Sequence, residues 1–316
     1  MKKIILLVGI LLVVLGGGIF FAAYAAAGFD FEKMGNVSYE TKTFDITEDF
    51  TDIEIDVDTI DIEFIQTTDS KARVECLQSE NEKIDVKAEN GKLIISSKKT
   101  NKWFVMNFVM KDLKAKVYLP KNLYDNLVIT TDTGDVSIPS GFVFGKSGIT
   151  SDTGDIILKA GVSGNSEIKS DTGDVTISGT TAESFNITTD TGDVTISGTT
   201  AESLSITTDT GDVSVSDFEA AHSVNVETGT GDVSLNGLLC VDCTVTTDTG
   251  EVKLDKANAS EITIKTETGD VTGTVAHDMV FHTKTETGDV SVPNSIDGGL
   301  CDITTDTGDI NLKIAN

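Results

Sequence analysis

The chain has 316 residues, with 24 Lys and Arg against 51 Asp and Glu, which gives a formal net charge of −27. Affinity for nucleic acid comes from cations that neutralise phosphates, so this charge excludes nucleic acid as a partner. Metal ions and basic peptides are the partners that such a charge favours.

The N-terminus carries two lysines followed by a long uncharged stretch. Lys2 and Lys3 precede Ile4 to Phe29, which contains no charged side chain. About 18 apolar residues suffice to cross a bilayer, and the lysines favour a cytoplasmic N-terminus. We therefore predict a single-pass membrane anchor over residues 1–28, with the C-terminal domain extracellular. A cleaved signal peptide and a secreted protein are the alternative, because Ala23-Tyr24-Ala25 fits a small-x-small cleavage site.

The next segment has a weaker pattern. Residues 29–45 are predicted to be a juxtamembrane linker, and residues 46–127 a β-rich N-terminal cap with degenerate repeats. The residues around Ile60 and around Asn90-Gly91 resemble repeat corners, with Ile60 in the place of a glycine. A cap is needed because an open solenoid end presents unpaired backbone groups. The apolar stretch Trp103 to Met110 is either a buried cap strand or a surface for a membrane or a partner.

Residues 128–316 repeat the tetrapeptide Thr-Gly-Asp-Val, or a close variant, every 19 or 20 residues. Residues two and four after each glycine, and five before it, are apolar almost throughout, which is typical of strands with one buried face. A period this short indicates one solenoid coil per repeat. We predict an all-β fold, a parallel β-solenoid of about ten regular coils. The repeat glycines are Gly134, Gly154, Gly173, Gly192, Gly211, Gly231, Gly250, Gly269, Gly288 and Gly308.

Acidic residues form two columns, one two residues before each repeat glycine and one directly after it. Stacked corners would bring equivalent carboxylates within about 4.8 Å, and bound cations would relieve a repulsion of roughly 0.9 kcal/mol per pair in water. Calcium takes about six to eight oxygen ligands. We therefore predict calcium columns at Asp132, Asp135, Asp152, Asp155, Asp171, Asp174, Asp190, Asp193, Asp209 and Asp212.

A structural role for these columns is the alternative to calcium binding. Each Asp could hydrogen-bond the backbone of its own turn and stay solvated, while the Thr columns form hydroxyl ladders. The repeat also lacks the Gly-Gly-x-Gly-x-Asp spacing of calcium-binding rolls. Both interpretations stay open at this point.

The four cysteines are Cys76, Cys240, Cys243 and Cys301. Cys243 and Cys301 occupy the same repeat position three coils apart, roughly 14 Å at one strand spacing per coil, and a disulfide needs Cα atoms within about 7 Å. Cys240-Val241-Asp242-Cys243 is a lone CxxC, which could serve as a redox pair or as half of a zinc site. No second half is evident, so we predict free thiols in the core.

Enzymatic interpretations fit the repeat poorly. Asp-Thr-Gly is the active-site tripeptide of aspartic proteases, but that chemistry needs two carboxylates sharing one proton in a cleft. Polysaccharide-active β-helices need a local, unrepeated set of acid, base and binding groups, whereas these columns are uniform. His222, His277 and His282 align with no shared nucleophile. We predict no catalytic residues, and a polysaccharide-active enzyme is a remote alternative.

The final segment, Asn311-Leu312-Lys313-Ile314, is predicted to be the last strand of the last coil. We predict no capping element after it. An uncapped coil presents unpaired backbone groups, so we expect this end of the solenoid to meet a partner or a second copy of the chain.

The chain resembles a bacterial β-strand-repeat family labelled "putative adhesin", a domain of unknown function in envelope proteins that are common in Firmicutes. The resemblance rests on the N-terminal lysines and apolar span, on Gly28 to Lys33, on Val117-Tyr118-Leu119-Pro120, and on the repeated Thr-Gly-Asp-Val corners. It implies a β-solenoid displayed on the cell envelope. The family has no agreed catalytic residues, so the resemblance assigns none.

These observations predict a non-enzymatic, membrane-anchored surface solenoid that acts as an adhesin or as a binding or structural protein of the envelope. Its partners would be cell-wall, protein or cationic-peptide ligands, and no cofactor other than calcium is expected. The alternative is a regulatory protein that senses cationic peptides or metal ions through its acidic face during envelope stress.

Overall fold

The computed structural model describes residues 2–26, 28–29, 39–79, 82–99 and 113–315. The apolar stretch Trp103 to Met110 and residues 30–38 of the predicted linker lie outside these residues. The helix α1 comprises Lys2–Ala26. By length and hydropathy, no helix within the described residues qualifies as a membrane span. The membrane anchor predicted from the sequence is not confirmed.

The strands fall into a cap and a series of coils. The cap strands are β1 (Tyr39–Asp45), β2 (Asp52–Val57), β3 (Asp61–Thr67), β4 (Arg73–Ser79), β5 (Glu82–Glu89), β6 (Lys92–Lys99) and β7 (Lys114–Pro120). The strands before the repeat glycines are β8 (Leu123–Thr133), β10 (Val143–Thr153), β13 (Asn165–Thr172), β15 (Ser184–Thr191), β17 (Thr200–Thr210), β19 (Glu219–Thr230), β21 (Asp242–Thr249), β23 (Glu261–Thr268), β25 (Met279–Thr287) and β27 (Gly299–Thr307). The strands after them are β9 (Val136–Ile138), β11 (Ile156–Leu158), β14 (Val175–Ser178), β16 (Val194–Ser197), β18 (Val213–Ser216), β20 (Val233–Asn236), β22 (Val252–Ala257), β24 (Val271–Val275), β26 (Val290–Ser291) and β28 (Ile310–Ile314). The short strand β12 (Gly161–Val162) pairs with β10.

The coils stack as two parallel sheets, one on each side of a common core. Ile187 of β15 pairs with Ile206 of β17, and Val194 of β16 pairs with Val213 of β18. All four side chains are fully buried. Each such side chain contributes about 1.5–3 kcal/mol when it is removed from water. The all-β parallel solenoid predicted from the period-two pattern is confirmed.

The cap first extends both parallel sheets, by β2 and β6 in one and by β3 and β7 in the other, and ends with the antiparallel strands β5, β4 and β1. Strand β2 pairs with β8 and β3 pairs with β9, so Ile60 takes the place of the corner glycine, as predicted. The corner predicted at Asn90-Gly91 is wrong, because these residues form the turn of the antiparallel hairpin β5–β6. Both have positive φ, +54° and +78°, which the tight hairpin turn of an Asn-Gly pair requires.

The last two coils are stacked out of sequence order. Strand β27 lies between β23 and β25, and β28 lies between β24 and β26. The coil of Gly308 therefore lies between those of Gly269 and Gly288. The prediction that Asn311 to Ile314 ends the solenoid is wrong, because β25 and β26 form the terminal coil. Every coil presents the same columns to both neighbours, so the repeat itself does not fix which coil is adjacent.

Candidate binding surface at the acidic corners

The corner glycines are required by the stacking of one corner on the next. The amide of Gly173 donates to the Thr191 carbonyl at 3.0 Å, so the backbone ladder continues through the corner. Gly154 and Gly173 have φ values of +137° and +145°, which side chains other than glycine reach only at a cost. A Cβ on Gly173 would also overlap the Gly154 carbonyl oxygen. Glycine therefore allows the corners to approach at one strand spacing.

The acidic residue directly after each glycine belongs to a hydrogen-bonded ladder, which we call the ladder column. Its sequence-predicted members are Asp135, Asp155, Asp174, Asp193 and Asp212. The Asp155 amide donates to Oδ1 of Asp135 at 2.9 Å, and the Asp212 amide donates to Oδ1 of Asp193 at 2.8 Å. Each carboxylate therefore accepts a hydrogen bond from the amide of the next corner. The structural alternative had instead predicted a bond to the backbone of the residue's own turn.

The ladder runs over most of the solenoid. It starts where the Asp135 amide donates to Oδ1 of Asp61 at 3.1 Å, and it reaches the Glu251 amide, which donates to Oδ1 of Asp232 at 2.7 Å. The longer side chain of Glu251 instead accepts a hydrogen bond from the Thr272 hydroxyl at 2.7 Å. The ladder resumes in the last three corners, through Asp270, Asp309 and Asp289.

The acidic residues two before each glycine form a second line, which we call the free column. The members predicted from the sequence are Asp132, Asp152, Asp171, Asp190 and Asp209. All five are exposed. Within the described residues, these five carboxylates make no hydrogen bond or ion pair. The structure thus stacks all ten predicted acidic residues along one edge, but only the five in the free column have both carboxylate oxygens available.

The hydroxyl side chains three residues before the glycines face inwards. Nearly the whole column is buried, with Thr189 and Thr208 among its members. Thr228 donates to the Gly211 carbonyl at 3.3 Å, and Thr247 donates to the Gly231 carbonyl at 3.4 Å. Other members of the column, including Thr189 and Thr208, have buried hydroxyls without a hydrogen-bond partner among the described residues. The column therefore packs the corner and is not part of the binding surface.

The calcium columns predicted from the sequence are not tested by this geometry. In the part of the chain that the structure describes, no group of three or more His, Cys, Asp or Glu side chains is placed to hold a metal ion. The ladder column also commits one oxygen of most of its carboxylates to a backbone amide. Metal binding at these ten residues stays a prediction.

A family model covers most of the chain. The model of Toastrack DUF4097 matches residues 50–235 and 202–316. The chain belongs to this family. The match confirms the sequence-based resemblance to an adhesin-like β-repeat family of unknown function. No curated protein matches the chain.

Three similar solved structures come from Bacteroides and Parabacteroides species. A "putative adhesin" from Bacteroides fragilis NCTC 9343 has 19% identity and a TM-score of 0.44, covering 87% of this chain and 97% of that chain. A "putative lipid binding protein" from Parabacteroides distasonis ATCC 8503 has 16% identity and a TM-score of 0.46, with coverages of 88% and 98%. A "putative adhesin" from Parabacteroides merdae ATCC 43184 has 15% identity and a TM-score of 0.32, with coverages of 88% and 98%.

The two acidic columns of this Toastrack chain should respond differently to substitution. Asp193→Ala removes the acceptor for the Asp212 amide and should cost roughly 1 kcal/mol locally, or about a fivefold loss of protection of that amide from hydrogen exchange. Asp193→Asn keeps an acceptor oxygen and should preserve protection, as should Asp190→Ala in the free column. Equal exchange of the Asp212 amide in Asp193→Ala and Asp190→Ala would show that the ladder bond does not stabilise the corner.

The sequence predicts both acidic columns on one edge of the solenoid. It did not lead us to expect that one column bonds the backbone while the other stays exposed to solvent. The signal was available, since the position after the glycine is acidic in every repeat, whereas the position two before it is Gly229 in one repeat. A position that forms a continuous ladder tolerates fewer replacements than a solvated one. The ladder column could therefore have been recognised as the one that is acidic in every repeat.

Proposed function

We propose that this chain is a non-enzymatic protein of the cell-envelope surface, an adhesin or binding protein that recognises cationic partners along its free column. The observation that carries the proposal is the line of exposed carboxylates in nine of the ten coils, five of them without a partner within the described residues, beside a ladder that fixes the corners. Neighbouring carboxylates lie about one strand spacing apart, roughly 4.8 Å. This is shorter than the Debye length of about 8 Å at physiological salt, so adjacent charges act together on a cation.

The spacing favours distributed binding over a single site. An extended peptide places successive side chains of one face about 6.6 Å apart, which does not match the coil spacing. A basic peptide would therefore contact the column in many registers. The affinity should grow with peptide length and fall steeply with salt, as expected for association between lines of opposite charge.

Thermal unfolding of the full chain separates a cationic ligand from a metal. We expect a ten-residue lysine peptide to raise Tm at concentrations where sodium chloride of equal ionic strength does not, because a ligand that binds only the folded state stabilises it. Calcium and magnesium, compared at equal concentration, form the second arm. A rise specific to calcium would assign the columns to metal binding. No rise with the peptide or with either metal would overturn the proposal.

The non-enzymatic part of the proposal is supported by the placement of the Asp-Thr-Gly corners. They stack in one line along one edge, whereas an aspartic protease needs two such loops facing each other across a cleft. Repetition also leaves each corner chemically equivalent to its neighbours, which a polysaccharide-active site does not allow. Hydrolysis of peptidoglycan or of a casein substrate by the purified chain, lost on denaturation, would contradict this part.

Surface location and anchoring are supported by the sequence alone. The uncharged stretch from Ile4 to Phe29 follows Lys2 and Lys3, which is the arrangement of an inserted segment with an external C-terminal domain. Protease treatment of intact cells should remove the solenoid and leave residues 1–28 with the membrane fraction. A solenoid protected in intact cells and released only on lysis would contradict the proposed location.

Self-association was expected at the uncapped C-terminal strand. Because β25 and β26 form the terminal coil, we now propose this coil as the contact surface. Val290 is 45% exposed and Ile296 is 86% exposed at this end. Exposed edge strands are templates for pairing with a further strand. Sedimentation at micromolar concentration should show a dimer that Val290→Lys dissociates, and a monomer at all concentrations would remove self-association from the proposal.

The sensor alternative uses the same acidic surface, so binding measurements alone do not separate it from adhesion. Genes for membrane regulators or two-component systems beside this gene would favour sensing. Genes for wall attachment or secretion would favour adhesion.

A further inference from the structure

Two cysteines of the coil around Gly250 lie next to each other in the core. Cys243 belongs to β21, and Cys240 precedes it across a bend at Val241. Cys240 is 7% exposed and Cys243 is 1% exposed. Both are free thiols, as predicted. The bend lets two residues that are three apart in sequence point into the same part of the core.

The neighbouring coils show that packing does not require thiols at these positions. Leu239 pairs with Glu219 and with Asn258, so Ala220 and Ala259 flank Cys240 in its column. In the other column, Cys243 pairs with Val224 on one side and with Ile262 on the other. Alanine and branched apolar residues fill the same two columns in adjacent coils. Among these coils, a pair of thiols occurs only in the one around Gly250.

The two thiols differ in how readily they ionise. Hydrogen bonding with the Cys243 side chain lowers the pKa of Cys240. The same interaction and burial raise the pKa of Cys243. For Cys76 and Cys301, burial raises the pKa of each thiol to about 12. Only the pair therefore combines a thiol that ionises more readily with a second thiol beside it.

Cys301 is excluded as a partner for either residue. Ile262 separates it from Cys243, because Ile262 pairs with both. The predicted separation of three coils is wrong, since the inserted last coil leaves only two strand spacings, or about 9.6 Å. That distance still exceeds the limit of about 7 Å between the Cα atoms of a disulfide.

We propose that Cys240 and Cys243 are a thiol–disulfide exchange site that closes an intramolecular disulfide when the protein meets a small disulfide such as oxidised glutathione. The thiolate of Cys240 attacks one sulfur of the incoming disulfide, forms a mixed disulfide and releases one small thiolate. Cys243, losing its proton to that thiolate, attacks the sulfur of Cys240 and releases the second small thiolate, which takes up from water the proton that Cys240 lost on ionising. One disulfide is consumed, and two small thiols and one protein disulfide are formed.

Cys240 is the member of the pair nearer to solvent. It lies between the exposed residues Leu239 and Val241 and is 7% exposed, whereas Cys243 is 1% exposed. Cys243 lies deeper, between Val224 and Ile262, which restricts it to the second, resolving step. The site therefore favours formation of the Cys240–Cys243 disulfide over a lasting mixed disulfide.

The test uses the folded full-length chain, incubated with oxidised glutathione, then denatured, alkylated and mapped by peptide mass spectrometry. We expect the peptide holding Cys240 and Cys243 to lose two hydrogens, with two glutathione thiols released per chain. Cys76 and Cys301 serve as internal controls, and Cys240 should react at least tenfold faster than either. Oxidation of the pair no faster than that of Cys76 and Cys301 would overturn the proposal.

A variant separates the two steps. Cys243→Ala should stop the reaction at a mixed disulfide between Cys240 and glutathione, with one thiol released. Cys240→Ala should leave Cys243 unmodified in the folded chain. A glutathione adduct on Cys243 in Cys240→Ala, or no adduct on Cys240 in Cys243→Ala, would contradict the assigned roles.

Discussion

Deleting residues 299–316 is expected to unfold two coils and not one. Strands β25 and β26 are held, within the described residues, by pairing with β27 and β28. Removing the inserted coil leaves a gap of one strand spacing between β23 and β25. The residues of the terminal coil then lose both their ladder hydrogen bonds and their apolar neighbours. Amide protection of residues 279–291 should fall to that of an exposed loop, as hydrogen exchange with mass spectrometry would record.

An internal deletion provides the matched control. Residues 199–217 form one coil whose sequence closely repeats residues 180–198. Removing them joins equivalent positions and should shorten the solenoid by one coil without exposing a new end. Residues 279–291 should then keep their protection. If they also keep it after deletion of residues 299–316, the coil of Gly288 stacks directly on that of Gly269, either already in the intact chain or by docking there once the inserted coil is removed.

Substituting a corner glycine is the point change with the largest expected effect. Gly192 has φ of +154°, and a Cβ there would overlap the Gly173 carbonyl oxygen. Backbone strain and overpacking each cost about 1–3 kcal/mol, so Gly192→Ala should destabilise the solenoid by roughly 2–6 kcal/mol. Urea unfolding followed by circular dichroism should show a lower midpoint or a separate early transition.

Gly198→Ala distinguishes corner stacking from the general cost of positive φ. Gly198 has φ of +56°, and no atom lies within 4 Å of an added Cβ. Its cost should be limited to the left-handed conformation, about 1–2 kcal/mol. Equal shifts of the unfolding midpoint in Gly192→Ala and Gly198→Ala would show that close stacking of the corners is not what demands glycine.

The period of the sequence predicts the sheets because each column of the repeat has one physical role. Apolar columns such as that of Ile187 and Ile206 must face a core, and their spacing gives the parallel register. The substitution of Ile60 for a corner glycine was also predictable, because its flanking residues keep the column pattern. At Asn90-Gly91 the sequence wrongly predicted a repeat corner, because a pair of residues that readily adopts positive φ fits a hairpin turn as well as a corner.

Coil order and the ladder could not be predicted for a different reason. Equivalent columns in every coil make the faces interchangeable, so the position of the last coil depends on where residues 292–298 carry the chain. The division between ladder and free columns depends on whether a carboxylate reaches the next amide, which is a matter of side-chain geometry. Within one corner, two Asp residues such as Asp190 and Asp193 look equivalent, and only the greater uniformity of the position after the glycine across the repeats distinguishes the columns.

The most direct test of the account compares two variants with equal net charge for their affinity toward a ten-residue lysine peptide. One replaces the five free-column residues with Asn, and the other replaces the five ladder-column residues with Asn, which retains an acceptor for the ladder. The free-column residues are Asp132, Asp152, Asp171, Asp190 and Asp209, and the ladder-column residues are Asp135, Asp155, Asp174, Asp193 and Asp212. By isothermal titration calorimetry at one fixed salt concentration, the free-column variant should lose at least about tenfold in affinity, or roughly 1.4 kcal/mol, and the ladder-column variant clearly less. Equal losses would mean that total charge governs binding, and would contradict the assignment of the free column as the binding surface.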